Sequence, residues 1–212
     1  MPPIGCALAN FLRSHDELSL RQLLDDEREV VADALAHEER ARIFGTGIRR
    51  RLAPLLGGWK RRIRQAHSLL LSMPGTPVLY YGAEIGLGDD LALERLNVAA
   101  QRRDPGSLLN WMMSALRARR GCPEFGLAKC ANSLETGDER VLAHVCRHRS
   151  SLVLALHDLS ADEIVFDLDV DELASSPLIE MLADHAYPPL ETGSTRLGPF
   201  GFRWFRSHAL PA

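Results

Sequence analysis

Two different spacings of apolar positions divide this chain near residue 121. Before that point, apolar residues recur mainly at intervals of three and four, as they do along one face of a helix. After Phe125 the apolar runs become short, alternate with polar positions and are separated by Gly, Ser, Asp and Pro, which is typical of β-strands. The pattern predicts an α/β domain over residues 1–121 and an all-β domain over residues 122–212.

Two short apolar runs in the first domain predict buried strands. Ala7–Leu12 is apolar until the chain turns polar at Arg13, and residues 76–82 (TPVLYYG) are β-branched and aromatic. A polar loop with carboxylates follows each run. Because two strands cannot close a parallel sheet, we expect this domain to be the end of a larger α/β fold.

Helices are predicted around the second strand. The helical segments are residues 19–44, which are strongly charged, a short helix within residues 47–58 that Pro54 bends or ends, and residues 59–75, which end at Pro74-Gly75. A last helix is predicted to start at an Asp104 cap and to end at Gly121.

The second domain contains five strand-like runs, at residues 141–146, 151–159, 163–170, 178–183 and 198–205. Turn residues separate these runs, and apolar positions recur with a period of two. This arrangement predicts a small antiparallel β-sandwich.

Composition narrows the classes of partner. The chain has 212 residues, is 46% hydrophobic and carries a net charge of −3, so it has no general attraction for nucleic acid or anionic lipid. Two basic clusters, at residues 49–51 and 60–64, are interpreted as solvated or salt-bridged helix faces because no aromatic residues interleave with them. We expect no nucleic-acid partner.

The compartment is inferred from leader, membrane and cysteine signals. No apolar window is long enough to span a membrane, and the first residues lack the basic region of a signal peptide, so no membrane partner and a cytoplasmic setting are expected. The cysteines form no CxxC pair and have no histidine at zinc-finger spacing; they are Cys6, Cys122, Cys130 and Cys146. Reduced structural thiols without a structural metal are expected.

Five segments in order resemble a known enzyme family. They read FLRSHDEL, GIRRRLAPLL, SLLLSMPGTPVLYYGAEIGLGDD, NVAAQRRDPGSLLNWM and GPFGFRWFR, and they span nearly the whole chain. Together they resemble the trehalose synthases and, more broadly, the α-amylase superfamily, glycoside hydrolase family 13. The resemblance implies the C-terminal portion of a (β/α)8 TIM barrel, with its last two strands and their helices, followed by the small β-sandwich.

The opening segment carries the first candidate site residues. The family's N-H-D motif reads S-H-D here, with Ser14 in place of Asn, and it implies that His15 and Asp16 bind hydroxyls of the reacting glucose and stabilise the transition state. On spacing alone, the same polar residues could simply cap the following helix.

The two carboxylates that perform retaining glycoside chemistry are not found in this chain. In the family both lie on earlier strands, and the nucleophile belongs to a G-F-R-x-D-A-x-x-H motif. Residues 33–37 (DALAH) match the tail of that motif but lack Gly-Phe-Arg upstream and follow the S-H-D loop, so we interpret them as a solvated helix face. We therefore expect this chain alone to be inactive.

A second candidate group ends the second predicted strand. Tyr80, Tyr81 and Glu84 lie where the eighth barrel strand would meet substrate, although the tyrosines could equally belong to the core. Three departures from the family surround them: Ala83 replaces an aspartate, Ala99 replaces an acidic residue, and residues 90–97 replace a longer segment with an R-x-x-M-Q-W motif. Degeneration of the site or a defective reading frame is one interpretation.

The resemblance implies an activity for the complete enzyme, which is isomerisation of maltose to trehalose by retaining intramolecular transglucosylation. The implied partner is an α-glucoside such as maltose or trehalose, with no cofactor required and calcium possible in the complete family enzyme. The alternative hypothesis is a non-catalytic carbohydrate-binding or interaction module, or a pseudoenzyme subunit. Self-association or a missing N-terminal barrel half is expected from the open sheet edge.

Overall fold

The computed structural model describes residues 8–13, 17–89, 97–128, 131–169, 177–191 and 193–207. His15 and Asp16 lie outside the described residues, as do Ser14, the thiols of Cys6 and Cys130, and most of the shortened segment at residues 90–97. The chain forms two compact units. The larger unit contains the described parts of residues 1–10, 64–77 and 113–212, and the smaller unit contains those of residues 11–63 and 78–112.

The helices of the described chain are α1 (Asp25–Leu35), α2 (Leu52–Leu55), α3 (Lys60–Ser72), α4 (Val98–Arg103), α5 (Leu108–Gly121) and α6 (Glu124–Leu127). The strands are β1 (Ala9–Asn10), β2 (Leu18–Ser19), β3 (Arg42–Ile43), β4 (Gly47–Ile48), β5 (Thr76–Pro77), β6 (Ala131–Leu134), β7 (Val141–His148), β8 (Ser151–Asp158), β9 (Ile164–Leu168), β10 (Leu178–Ala183), β11 (Gly193–Leu197) and β12 (Phe202–Ser207). Two 3₁₀ turns, Glu39–Ala41 and Ala83–Ile85, complete the described elements.

The two predicted parallel strands exist but are much shorter than predicted and are not buried. β1 and β5 pair in parallel over two residues each, and the Thr76 amide donates to the Leu8 carbonyl at 2.7 Å. Leu8 is 53% exposed. Because each of these strands pairs only with the other among the described residues, no neighbouring strand covers their apolar side chains.

A guanidinium fixes the approach to β5 within the larger unit. Arg119 donates to the carbonyl of Leu71 at the end of α3, to that of Met73 at 3.1 Å and to that of Gly75 at 2.5 Å. Gly75 has φ 111, and a Cβ there would lie 2.6 Å from the Leu8 carbonyl, so only glycine fits this close approach. The turn between α3 and β5 is therefore rigidly defined.

Two antiparallel sheets form most of the larger unit. One has the strand order β10-β12-β8-β7-β6, and the other pairs β11 with β9. Their apolar residues share one core, and its members are Val141, Ala143, Val145, Leu152, Leu154, Leu156, Ile164, Phe166, Leu168, Leu197 and Phe205. The first four predicted strands are thus confirmed, and the fifth, predicted over residues 198–205, lies at Phe202–Ser207. Strands β6 and β11 and the short helix α6 were not predicted.

The smaller unit corrects the long helix predicted over residues 19–44. Helix α1 covers only Asp25–Leu35, where the Glu27 carboxylate accepts from the Leu24 amide at 2.9 Å and closes the first turn. The flanking residues instead form the antiparallel sheet β2-β4-β3. Folding back in this way buries a small core of Leu20, Ala32, Ala36, Ala41 and Ile48 that one continuous helix could not form.

The last predicted helix begins later than expected. Asp104 accepts from the Gly106 amide at 2.9 Å within a turn, and the Ser107 hydroxyl accepts from the Asn110 amide at 3.1 Å and caps α5. The short helix α4 precedes it, with Asn97 accepting from the Ala100 amide at 2.6 Å. The predicted end at Gly121 is confirmed.

Candidate functional site

The described part of the candidate site begins three residues after β5, at Tyr80 and Tyr81. The chain then turns sharply at Gly82, which has φ 81, and a Cβ at this position would lie 2.7 Å from a methyl carbon of Leu87. Glu84 lies in the following 3₁₀ turn. A left-handed glycine without room for a side chain therefore orients the tyrosines relative to the turn.

Arg51 of the smaller unit makes an extended contact with both tyrosines. Its guanidinium donates to the Tyr81 carbonyl at 3.2 Å and to the Tyr81 phenol oxygen at 3.0 Å. The guanidinium carbon lies 4.9 Å from the centroid of the Tyr81 ring and 5.8 Å from that of Tyr80. These hydrogen bonds and cation–π contacts hold the two aromatic side chains in one arrangement, with ring centroids 4.5 Å apart.

Asp89 fixes the backbone at Arg51. One of its carboxylate oxygens accepts from the Arg51 amide at 2.6 Å, and the other lies 3.6 Å from the side chain of Arg50. The Asp89 carboxylate thus contacts the backbone of Arg51 and the side chain of the preceding Arg50, and these contacts fix the segment that enters α2. We name Arg51, Tyr80, Tyr81 and Asp89 the Tyr–Arg cluster.

Exposure decides what the Tyr–Arg cluster can bind. Tyr81 is 64% exposed, whereas Tyr80 is half-buried. A fixed and exposed aromatic ring provides an apolar face for the C–H side of a sugar ring, and its phenol provides a polar edge. Among the described residues Glu84 makes no hydrogen bond or ion pair with this cluster, so the structure brings together two of the three predicted residues.

The sequence interpretation missed Arg51. It grouped this residue with Arg49 and Arg50 as a solvated basic face, but the structure places its side chain against the predicted sugar-facing tyrosines. The available signal was its position within GIRRRLAPLL, one of the five segments that carry the family resemblance. The contact itself joins residues 30 positions apart and has no local sequence signature.

The apparent nucleophile motif at residues 33–37 has an ordinary structural role. The Asp33 carboxylate accepts from the Arg42 guanidinium at 2.5 Å, and Glu29 pairs with the same guanidinium at 3.3 Å. The Asp33 side chain is 72% exposed on α1. The interpretation as a solvated helix face is confirmed for Asp33, whereas Ala36 follows the end of α1 and is buried in the small core.

The described residues contain no cluster of metal-binding side chains, and their cysteines are buried. No three His, Cys, Asp or Glu side chains converge there in an arrangement that could hold a metal ion. Cys122 and Cys146 are buried and form no disulfide within the described residues, and burial raises the pKa of Cys122 to about 11. None of the described helices is long and apolar enough to cross a bilayer.

Sequence comparison finds similar curated proteins along nearly the whole chain, although no family model matches. The chain is 34% identical to a trehalose synthase of Thermus thermophilus over 93% of its own length, and 30% identical to one of Pimelobacter sp. over 96%. It spans only 25% and 43% of the lengths of these two relatives. The first alignment has 239 positions, more than the 212 residues of this chain, so that relative contains residues without a counterpart here.

Solved structures show the same fold at lower identity. An α-amylase from H. orenii matches with a TM-score of 0.62 and 19% identity, covering 75% of this chain and 38% of the enzyme. A trehalose-6-phosphate hydrolase from Bacillus licheniformis matches with a TM-score of 0.62 and 11% identity, covering 93% of this chain and 42% of the enzyme. This chain therefore shares its fold with part of each of these two enzymes.

Proposed function

This chain is a homologue of the trehalose synthases in the α-amylase family, and from that premise we propose that it is the C-terminal portion of an enzyme that isomerises maltose to trehalose. The observation that carries the proposal is 34% identity over 93% of the chain. In this proposal residues 1–121 are the last two barrel strands with their helices, and residues 122–212 are the β-sandwich. The parallel pair β1 and β5 supports the barrel assignment.

The proposed chemistry assigns a limited role to this chain. Because β1 and β5 are parallel, their carboxyl ends lie at the same edge of the pair. In sequence, the segment after β1 contains His15 and Asp16, and the segment after β5 contains Tyr80 and Tyr81. His15 and Asp16 would bind glucose hydroxyls as the oxocarbenium-like transition state forms. The Tyr–Arg cluster would supply an apolar face for the α-glucoside.

Nucleophile and general acid would come from the part of the barrel that the longer relatives contain. Retaining chemistry requires two carboxylates about 5 Å apart on opposite sides of the scissile bond, and the sequence assigns neither to this chain. We therefore propose that the chain alone is inactive. A cytoplasmic location belongs to the proposal and is supported by the reduced thiols of Cys122 and Cys146, which form no disulfide within the described residues.

The test compares the purified chain with a hybrid enzyme, in which this chain replaces the matching region of the Thermus thermophilus trehalose synthase. We expect no trehalose or glucose from maltose with the chain alone and measurable trehalose with the hybrid. Trehalose formed by the chain alone would refute the inactivity proposal. A folded hybrid that binds maltose but never forms trehalose would refute the proposed function.

A second function, a non-catalytic carbohydrate-binding module, is favoured by one observation: Tyr81 is exposed, yet its position is fixed by Arg51. Calorimetric titration of the isolated chain with maltose and longer glucans tests this alternative. Millimolar or tighter binding without activity in the hybrid would favour the module. Concentration-dependent self-association in place of sugar binding would favour a surface that normally contacts the rest of a barrel.

A further inference from the structure

Phe44 has the most exposed large apolar side chain in the part of the chain that the structure describes. It is 80% exposed and lies between β3 and β4, in the smaller unit. Among the described residues it makes no aromatic or cation–π contact. Core packing therefore does not account for an aromatic side chain at this position.

The backbone at Phe44 makes the choice of residue more unusual. The Thr46 amide donates to the Ile43 carbonyl at 3.3 Å, and the two central residues, Phe44 and Gly45, have φ 53 and 66. Turns with two positive φ values favour Asn, Asp and Gly, because a Cβ strains the left-handed conformation. Phenylalanine thus adds backbone strain and gains no burial.

The contacts that define this turn do not involve the ring. The Thr46 hydroxyl donates to the Phe44 carbonyl at 3.4 Å, and Arg21 donates to the same hydroxyl at 3.4 Å. Both contacts would survive replacement of the Phe44 side chain. A strained residue whose side chain contributes nothing to its own turn indicates a role in binding something else.

The position of the turn in the chain favours a substrate over a scaffold partner. Residues 11–59 connect β1 to α3, and in barrel enzymes the connections from strand to helix are the ones that contact substrate. Arg42, beside the turn, is neutralised by Asp33 and Glu29, so this hairpin presents no unpaired guanidinium for an anionic ligand. A neutral ligand with apolar faces fits these features.

The length of the hairpin bears on the size of that ligand. Leu18, two residues after Asp16, pairs with Ile48 in the sheet β2-β4-β3. Arg42 pairs with Ile48 on the other side of β4, and Phe44 follows two residues later at the tip of the hairpin. The path from Leu18 to Phe44 therefore crosses two strand spacings, roughly 10 Å, and runs roughly 7 Å along the strands. A sugar chain that reaches from the segment around Leu18 to the Phe44 ring must be longer than a disaccharide.

We propose that the Phe44 ring is a stacking platform for a distal glucosyl unit of an α-glucan longer than maltose. The choice of an α-glucan rests on the proposed function, whereas the platform rests on the exposure and backbone geometry of Phe44. The ring contributes binding energy through its face, and the strained turn holds it away from the protein surface.

Calorimetric titration of the full chain with maltoheptaose and with maltose, together with thermal unfolding, tests the proposal. Phe44→Asn places the favoured Asn-Gly sequence in the turn, so we expect a melting temperature about 2 to 4 °C higher. The same variant should bind maltoheptaose about five- to tenfold more weakly, because it lacks the ring. Phe44→Tyr should retain the affinity of the unmodified chain.

Val30→Asn is the matched control, because Val30 is 69% exposed on α1 and has no proposed ligand. It should leave maltoheptaose affinity unchanged. The platform is refuted if Phe44→Asn becomes more stable without losing affinity, or if the unmodified chain does not bind maltoheptaose. If the hybrid is active but Phe44→Asn does not weaken maltoheptaose binding, only this inference is overturned. If maltoheptaose binding depends on Phe44 but the hybrid is inactive, only the proposed isomerisation is overturned.

Discussion

Arg51 holds Tyr81 at both ends, with one hydrogen bond to its backbone carbonyl at 3.2 Å and another to its phenol oxygen at 3.0 Å. The guanidinium has donors at fixed angles, so it can reach both oxygens at once while it lies 4.9 Å from the ring centroid. The exposed ring of Tyr81 is therefore positioned before any ligand arrives, which lowers the entropic cost of binding.

Replacing Arg51 in the hybrid enzyme should mainly affect substrate binding. The Arg51→Lys variant keeps the positive charge, but its ammonium group cannot bond both Tyr81 oxygens at once. We therefore expect KM for maltose to rise about tenfold and kcat to change by less than about threefold. Arg49→Lys, in the same motif, is the control and should leave both constants unchanged. Equal loss of kcat in the two variants would indicate a folding defect instead of a positioning role.

Asp16 should be required for the chemical step. Asp16→Asn in the hybrid removes the carboxylate proposed to bind glucose hydroxyls in the transition state, so kcat/KM for maltose should fall by about 10² to 10³. Asp26→Asn at the exposed start of α1 is the control and should have no effect. Retained activity in Asp16→Asn would refute its proposed role in the transition state, and helix capping would not explain the result, because the next helix starts at Asp25 and is capped at Leu24.

A buried histidine pair should make folding stability depend on pH. The Trp204 indole donates to the Ser68 hydroxyl at 2.9 Å, and this hydroxyl lies 3.0 Å from Nε2 of His157. Burial lowers the pKa of His157 from 6.5 to about 3, with a smaller effect from His144, whose ring is stacked parallel at 5.7 Å. Burial also lowers the pKa of His144.

The unfolded chain regains a histidine pKa near 6.5 and so binds more protons than the folded chain below that pH. Stability should be fully present above about pH 7 and decrease as the pH falls toward 3, with a loss of about 2 kcal/mol from His157 by pH 5 and a further loss from His144 in the same direction. Urea unfolding across this range measures the slope. His157→Gln should flatten it, and His148→Gln, at a half-buried position of β7, should not.

Arg206 should contribute more to stability than the other surface arginines. Its guanidinium donates to the Glu124 carboxylate at 2.9 Å and to the Gly121 carbonyl at 3.0 Å, and Glu124 is completely buried. Arg206→Met leaves that carboxylate without its partner, so urea unfolding should show a loss of about 3 kcal/mol.

The exposed pair of Arg196 and Glu163 provides the control for Arg206. Arg196→Met should change the free energy of unfolding by less than about 0.5 kcal/mol. The double variant Arg206→Met with Glu124→Gln should recover part of the loss, because it removes the buried charge. No recovery would show that packing of the Arg206 stem dominates.

Sequence patterns predicted the all-β elements well and the charged helical segments less well. Strands β7 to β10 lie where short apolar runs placed them, because each contributes apolar residues to the large core, whereas β12 starts four residues later than predicted. Residues 19–44 carry helical spacing throughout, yet only Asp25–Leu35 are helical. Strands β3 and β4 fold back onto β2 and bury Ile48. The local spacing of apolar residues does not show this burial, because it depends on contacts between distant parts of the chain.

The sequence by itself determined the family resemblance, the strands of the all-β half and the candidate residues that follow β1 and β5, because these depend on short motifs and local periodicity. Only the tertiary structure brought Arg51 to Tyr81 and Asp89, paired Asp33 with Arg42 and placed Phe44 in a strained, exposed turn. Contacts between residues distant in sequence depend on how the chain folds back to bury its core, and a linear pattern does not encode those distances.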